Sequence, residues 1–172
     1  MAKKDSLQQQ KFMSFMFRGK EIFKPLNTGA IDERVSCIRE YVANIYFYTK
    51  DGYTIMIDAG YNYDQLAEKM RWLDIRPESI NEILITHQDT DHVGAIEVDS
   101  QGLFKNAKIY VGSVENDYLE GRVRRKVYWG LYKLPQVQIK NDKTLIEDGE
   151  IFYIHDIKIE AFLVPGHTWG HL

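Results

Sequence analysis

The chain holds a single cysteine, Cys37, so it can form no internal disulfide and fits a reducing compartment. No base or cation adjoins that thiol in the sequence, and it reads as a small buried hydrophobe. No apolar run approaches the roughly 20 residues that a membrane span needs. The stretch Phe12-Met13-Ser14-Phe15-Met16-Phe17 is too short, and too soon followed by Arg18, to serve as a secretory signal, so a cytoplasmic location is expected. An excess of charge is missing too. A net charge of −3 and a pI near 6.0 argue against a membrane or nucleic-acid partner as the general rule. With no internal repeat and no linker composition, residues 1–172 read as one domain, loose and polar over residues 1–11.

What is present can fill a core: 44% of residues are hydrophobic and 13% aromatic. Two apolar runs at residues 45–49 and 53–57 flank Asp51-Gly52, which predicts a hairpin because Asp-Gly supplies the positive φ of a tight turn. Asp64 is expected to cap a helix reaching Asp74, with Leu66, Met70 and Leu73 forming its buried stripe and Pro77 ending it. Ile83-Leu84-Ile85 reads as a strand covered on both faces. Residues 108–111 predict another strand, Ser113 the cap of a helical stretch behind it, and residues 122–134 a further helix. Residues 145–150 read as strand entry and turn, and residues 151–154 with 157–164 as a second hairpin-like pair. Strands and helices mixed in this order indicate an α/β fold.

The chemistry is concentrated after the 83–85 run. Thr86-His87-Gln88-Asp89-Thr90-Asp91-His92 places two imidazoles and two carboxylates within six residues. Neutral His and ionised Asp are ligands for zinc, iron or manganese, and without a cation the two carboxylates would repel each other. A second ligand-bearing turn, Pro165-Gly166-His167-Thr168-Trp169-Gly170-His171, again follows an apolar run, so the two turns are expected to share one site. His155 lies in a polar turn and reads as surface.

These motifs resemble those of the metallo-β-lactamase-fold superfamily, His-x-His-x-Asp-His and Pro-Gly-His-Thr-x-Gly-His, preceded in the expected order by an Asp-x-Gly turn matched here by Asp58-Ala59-Gly60. The resemblance spans residues 58 to 171 and implies an αβ/βα sandwich. It implies one metal ion on His87, Asp89 and His167 and a second on Asp91 and His92, with Asp91 also serving the chemistry. Asp58 and His171 are implied to support the ligand turns rather than to touch metal. One or two divalent ions are expected, zinc first. Asp89 stands where most members have a histidine, and its oxygen keeps iron and manganese as alternatives. The family pattern continues past Leu172 through a bridging Asp and a final His. The carboxyl-terminal part of the sandwich is therefore expected to be missing, leaving a sheet edge that favours self-association, for instance as a homodimer.

The implied function is hydrolysis of an ester, thioester or lactone-like small molecule by a metal-activated hydroxide. Two rivals stand beside it: a phosphodiesterase or nuclease, and a di-iron redox or non-catalytic form of the same fold. Residues 121–141 bear on the choice, since they carry Arg122, Arg124, Arg125, Lys126, Lys133 and Lys140 without one acid, interleaved with Tyr128, Trp129 and Tyr132. They read equally as a solvated helix face over Val123, Val127, Leu131 and Leu134 or as a cationic wall that attracts an anionic substrate.

Overall fold

Four strands, β1 (Gly29–Ala30), β2 (Val35–Arg39), β3 (Asn44–Lys50) and β4 (Tyr53–Ile57), pair antiparallel in chain order. The computed structural model describes residues 23–40, 42–61, 63–96, 102–127, 132–133 and 137–172. Asp51 and Gly52 turn β3 into β4 with φ of 50° and 79°, the positive values a two-residue hairpin needs. The chain then crosses through helix α1 (Tyr63–Trp72) to β5 (Glu82–Ile85), and through the short helix α2 (Thr90–Val93) to β6 (Lys108–Gly112). Helix α3 (Ser113–Leu119) follows at once, then the short strands β7 (Lys126–Val127) and β8 (Tyr132–Lys133), and β9 (Lys143–Ile146). β4, β5, β6 and β9 are mutually parallel, giving a mixed seven-stranded sheet in the order β1-β2-β3-β4-β5-β6-β9. A final hairpin joins β10 (Ile151–Ile154) to β11 (Ile157–Glu160).

Alternation along the central strands feeds two apolar layers. Met56, Ile83, Ile85, Ile109 and Val111 pack with Leu66 and Met70 of α1. Ile55, Leu84 and Tyr110 point the other way, onto Ile154, Ile157 and Phe152 of the β10–β11 hairpin. The middle of the sheet is thus covered on both faces, as its uninterrupted apolar sequence requires. Among the described residues, no helix is long and apolar enough to cross a membrane.

Four local expectations are corrected. The helix expected over residues 122–134 is not found in the described part of that run: Gly121 follows α3 at φ 76°, and β7 pairs antiparallel with β8. The β-branched and aromatic content of this run outweighs its helical spacing. Val123 of the supposed stripe is 43% exposed, while Leu131 and Leu134 lie outside the described residues, as do Tyr128 and Trp129. Asp64 lies in the first turn of α1, where it complements the helix dipole, because the helix already begins at Tyr63. At the other end the chain leaves α1 through Asp74 at φ 57°, ahead of Pro77, with the Ile75 amide donating to the Met70 carbonyl at 2.9 Å. Ser113 is the first residue of α3 and caps nothing; its hydroxyl donates to Glu147 at 3.2 Å. β11 ends at Glu160, the partner of Ile151 at the start of β10; beyond it Ala161 exchanges backbone hydrogen bonds with Gly149 and Glu150, each at 2.9 Å, and the strand goes no further.

The excursion from α3 to β9 is fastened where it leaves and returns. Lys143, the first residue of β9, sits 2.8 Å from the Glu120 carboxylate just after α3 and donates to the Ile139 carbonyl at 3.0 Å.

Candidate metal centre

The parallel strands β4, β5 and β6 end on the same side of the sheet, where β4 and β5 each lead into a turn that carries polar side chains and β6 leads directly into α3. Asp58 follows β4 at φ 58°. One carboxylate oxygen accepts the Thr86 amide at 2.9 Å, and the other accepts the Thr86 hydroxyl at 2.8 Å and meets His92 Nδ1 at 2.7 Å. Backbone bonds fasten the same two segments, from the Ala59 amide to the His92 carbonyl at 2.6 Å and from the Ala95 amide to the Gly60 carbonyl at 2.9 Å. Asp58 therefore grips both ends of the His87–His92 turn, and by engaging Nδ1 it leaves His92 Nε2 for the interior of the site.

His87 is only 2% exposed, and its Nδ1 lies 3.0 Å from the Thr86 hydroxyl. Its Nε2 is buried and has no hydrogen-bond partner. That orphaned nitrogen is 3.6 Å from Asp89 Oδ2, which in turn is 2.9 Å from His167 Nε2. Ligand atoms of His87, Asp89 and His167 all lie within 4.8 Å of one another. The His92 ring centroid is 4.0 Å from that of His87, and Asp91 Oδ2 is 3.7 Å from His92 Nε2. The structure thus brings His87, Asp89, Asp91, His92 and His167 to one place. His171 stands at the margin, its ring centroid 4.8 Å from His87 and 6.3 Å from His167. His155 lies elsewhere, exposed in the β10–β11 turn against the Tyr53 ring.

Electrostatics follow the packing. Burial, reinforced by the neighbouring His92, pushes the His87 pKa down to about 2, so this imidazole stays neutral and ready to ligate. Burial also disfavours the charged form of His92, but the Asp58 carboxylate outweighs it and raises the pKa to about 9. For Asp89, burial opposes ionisation, yet the His167 hydrogen bond, the Arg125 guanidinium and His87 hold the carboxyl at about 2. Asp91 is pushed upward, chiefly by burial. A neutral buried imidazole with a vacant Nε2, facing an ionised carboxylate and a second imidazole, fits a divalent cation of the zinc type.

Three features of the site were not read from the sequence. Arg125 reaches into it, with Nη1 on Asp89 Oδ2 and Nη2 donating to the His167 carbonyl at 2.8 Å. The acid-free basic run was its only signal; elsewhere in that run Arg122 pairs with Asp117 at the surface, and Arg124 and Lys140 are exposed. Gln88 donates to Asp89 Oδ1 at 2.8 Å. Glu115, 0% exposed in the first turn of α3, accepts backbone amides from both ligand turns, from Gln88 at 2.9 Å and from Gly170 at 3.0 Å. Beside the cluster opens a cleft of about 230 Å³ lined by Tyr118, Arg125, Lys126, His167 and Trp169, the last of these 76% exposed.

The chain belongs to the metallo-beta-lactamase superfamily, whose family profile matches residues 38–172. A protein of Bacillus velezensis named "Probable polyketide biosynthesis zinc-dependent hydrolase BaeB" is 28% identical over 116 residues, a match covering 67% of this chain and 42% of that protein. A hydroxyacylglutathione hydrolase of Buchnera aphidicola is 26% identical over 120 residues, 69% of this chain and 36% of the relative. Among solved structures, the metallo-beta-lactamase GOB-18 of Elizabethkingia meningoseptica superposes with a TM-score of 0.69 at 22% identity, over 86% of this chain and 54% of that one. BJP-1 of Bradyrhizobium japonicum, a subclass B3 metallo-beta-lactamase, gives 0.67 at 19%, over 86% and 55%. At such identities the structural likeness establishes the fold alone. The chain spans less than half the length of these two curated relatives and a little over half that of these structures.

Proposed function

We propose that the protein is a zinc-dependent hydrolase acting on a small acyl ester or thioester that carries an anionic group. The observation that carries this reading is the buried, partnerless Nε2 of His87 turned toward Asp89 and His167. Those three side chains would hold the first ion, and Asp91 with His92 would contribute to a second. A bound divalent cation supplies Lewis acidity, lowering the pKa of a water toward neutrality and polarising the acyl oxygen. The rest of the work falls to the protein. Asp58 fixes His92 with Nε2 inward, and Asp91 sets Oδ2 3.7 Å from that nitrogen. Arg125 and Lys126 line the adjoining cleft and supply the charge that draws in an anionic group, while the Trp169 indole offers an apolar face beside them. The names of the curated relatives, a zinc-dependent hydrolase and a hydroxyacylglutathione hydrolase, support the metal and the acyl substrate class.

The test is a substrate panel on the zinc-loaded protein: a thioester with a carboxylate tail, a neutral aryl ester, a lactone and an aryl phosphodiester. Chelator-sensitive turnover of the anionic thioester is expected, with Arg125→Ala raising its KM by about tenfold while the neutral ester shifts little. Zinc-loaded protein that cleaves no acyl substrate refutes the reading. Cleavage of the phosphodiester alone makes the protein a phosphodiesterase instead.

A further inference from the structure

Glu115 is a fully buried carboxylate whose two oxygens are taken by backbone amides of different ligand turns. Oε2 accepts the Gln88 amide at 2.9 Å, between His87 and Asp89, and Oε1 accepts the Gly170 amide at 3.0 Å, between His167 and His171. The two donors are far apart in the sequence, and the short helix that bears Glu115 belongs to neither turn. The approach is close by design of the sequence: a Cβ at position 170 would lie 2.7 Å from Val114 Cβ and 2.9 Å from both the Glu115 amide and Oε1. On the other side, the Gly170 carbonyl would stand 2.9 Å from a Cβ at Gly112. A buried carboxyl group is costly unless hydrogen bonds satisfy it, and here both of those bonds come from the backbone of the two turns.

We infer that Glu115 is a positioning residue that sets the distance between the His87–Asp89 turn and the His167 turn, and so tunes how tightly one ion is held between them. It touches neither ion nor substrate. The inference rests on the reading that these turns bind a divalent metal, and it deepens that reading.

The variant Glu115→Gln tests it. The amide keeps one acceptor but turns an NH2 group toward the other backbone N–H, so one turn must let go. Zinc affinity, measured by competition with a chromophoric chelator, is expected to fall by about 10- to 100-fold, the usual effect of losing a support behind a ligand. The visible spectrum of the cobalt-substituted variant should also change, reporting altered coordination that a loss of stability alone does not produce. Met70→Ala, a truncation in the core beneath α1 that removes none of the hydrogen bonds of the two turns, serves as the control; it should lose thermal stability but keep its zinc affinity within about threefold. A folded Glu115→Gln protein with parental zinc affinity and cobalt spectrum overturns the inference. A parent that binds no zinc refutes the metal reading instead, so the two failures are distinct. Should the variant not fold, amide hydrogen exchange on the unaltered protein decides. The Gln88 and Gly170 amides are expected to exchange among the slowest in the two turns, and rapid exchange at either one overturns the inference.

Discussion

Asp58 and His92 stand 34 residues apart in the sequence, yet Asp58 Oδ2 and His92 Nδ1 meet at 2.7 Å, a charge-assisted contact at the root of the ligand turn. It raises the His92 pKa to about 9 from an ordinary 6.5. A histidine with a raised native pKa contributes stability that is fully present below its unfolded value and is lost as pH rises through the native one. Asp58→Asn should therefore destabilise the metal-free protein by on the order of 2 kcal/mol more at pH 6 than at pH 10. Urea unfolding at the two pH values measures the difference. An equal loss at both would show that the ion pair adds nothing beyond the Thr86 hydrogen bonds.

The same raised pKa governs metal uptake. At neutral pH, His92 carries a proton on Nε2 that any ion using that nitrogen must expel. Occupancy of the Asp91–His92 pair should release about one proton and tighten about tenfold per pH unit up to about pH 9, then level off. Occupancy of the His87, Asp89 and His167 set should show no release from His87, which burial already keeps neutral. Calorimetry in buffers of different ionisation enthalpy counts the protons. A pH-independent second affinity would contradict this assignment.

Arg125 and a metal ion compete for Asp89. With its guanidinium on Oδ2, the cation must be moved or tolerated before an ion can settle. Arg125→Ala should tighten zinc binding by about three- to tenfold while it weakens binding of an anionic substrate. Weaker zinc binding in the variant would mean that Arg125 assembles the site rather than contests it.

Asp89 sets a carboxylate oxygen between the imidazoles of His87 and His167. Replacing it with another imidazole, as Asp89→His, should raise zinc content relative to iron and manganese in protein grown on matched media. Elemental analysis gives the ratio directly, and an unchanged ratio sinks the idea.

The ligand turn was legible in the sequence because its chemistry is contiguous: His87, Asp89, Asp91 and His92 lie within six residues, at the end of a strand whose apolar run is plain. The β3–β4 hairpin was legible because Asp51-Gly52 specifies its own geometry. The region after α3 misled because Val123, Val127, Leu131 and Leu134 fit a helical spacing by coincidence, and spacing alone does not reveal that β7 and β8 pair there. Glu115 was invisible for a different reason. An acid in the first turn of a helix is ordinarily solvated, and only the approach of two backbone amides from elsewhere in the chain turns it inward. Arg125 shows the same limit, since nothing local separates it from Arg122 and Arg124, which stay at the surface.

Lys143 locks the two ends of the α3-to-β9 excursion by reaching both Glu120 and the Ile139 carbonyl. Arg125 and Lys126 lie between those anchors, whereas the His87–His92 turn follows β5 and the His167 turn follows β11. The cleft is thus built from two stretches of chain, the excursion and the His167 turn, which meet where Arg125 reaches Asp89 and the His167 carbonyl. Rewriting the excursion would therefore change the charge of the cleft and, through Arg125, the surroundings of Asp89 at the same stroke.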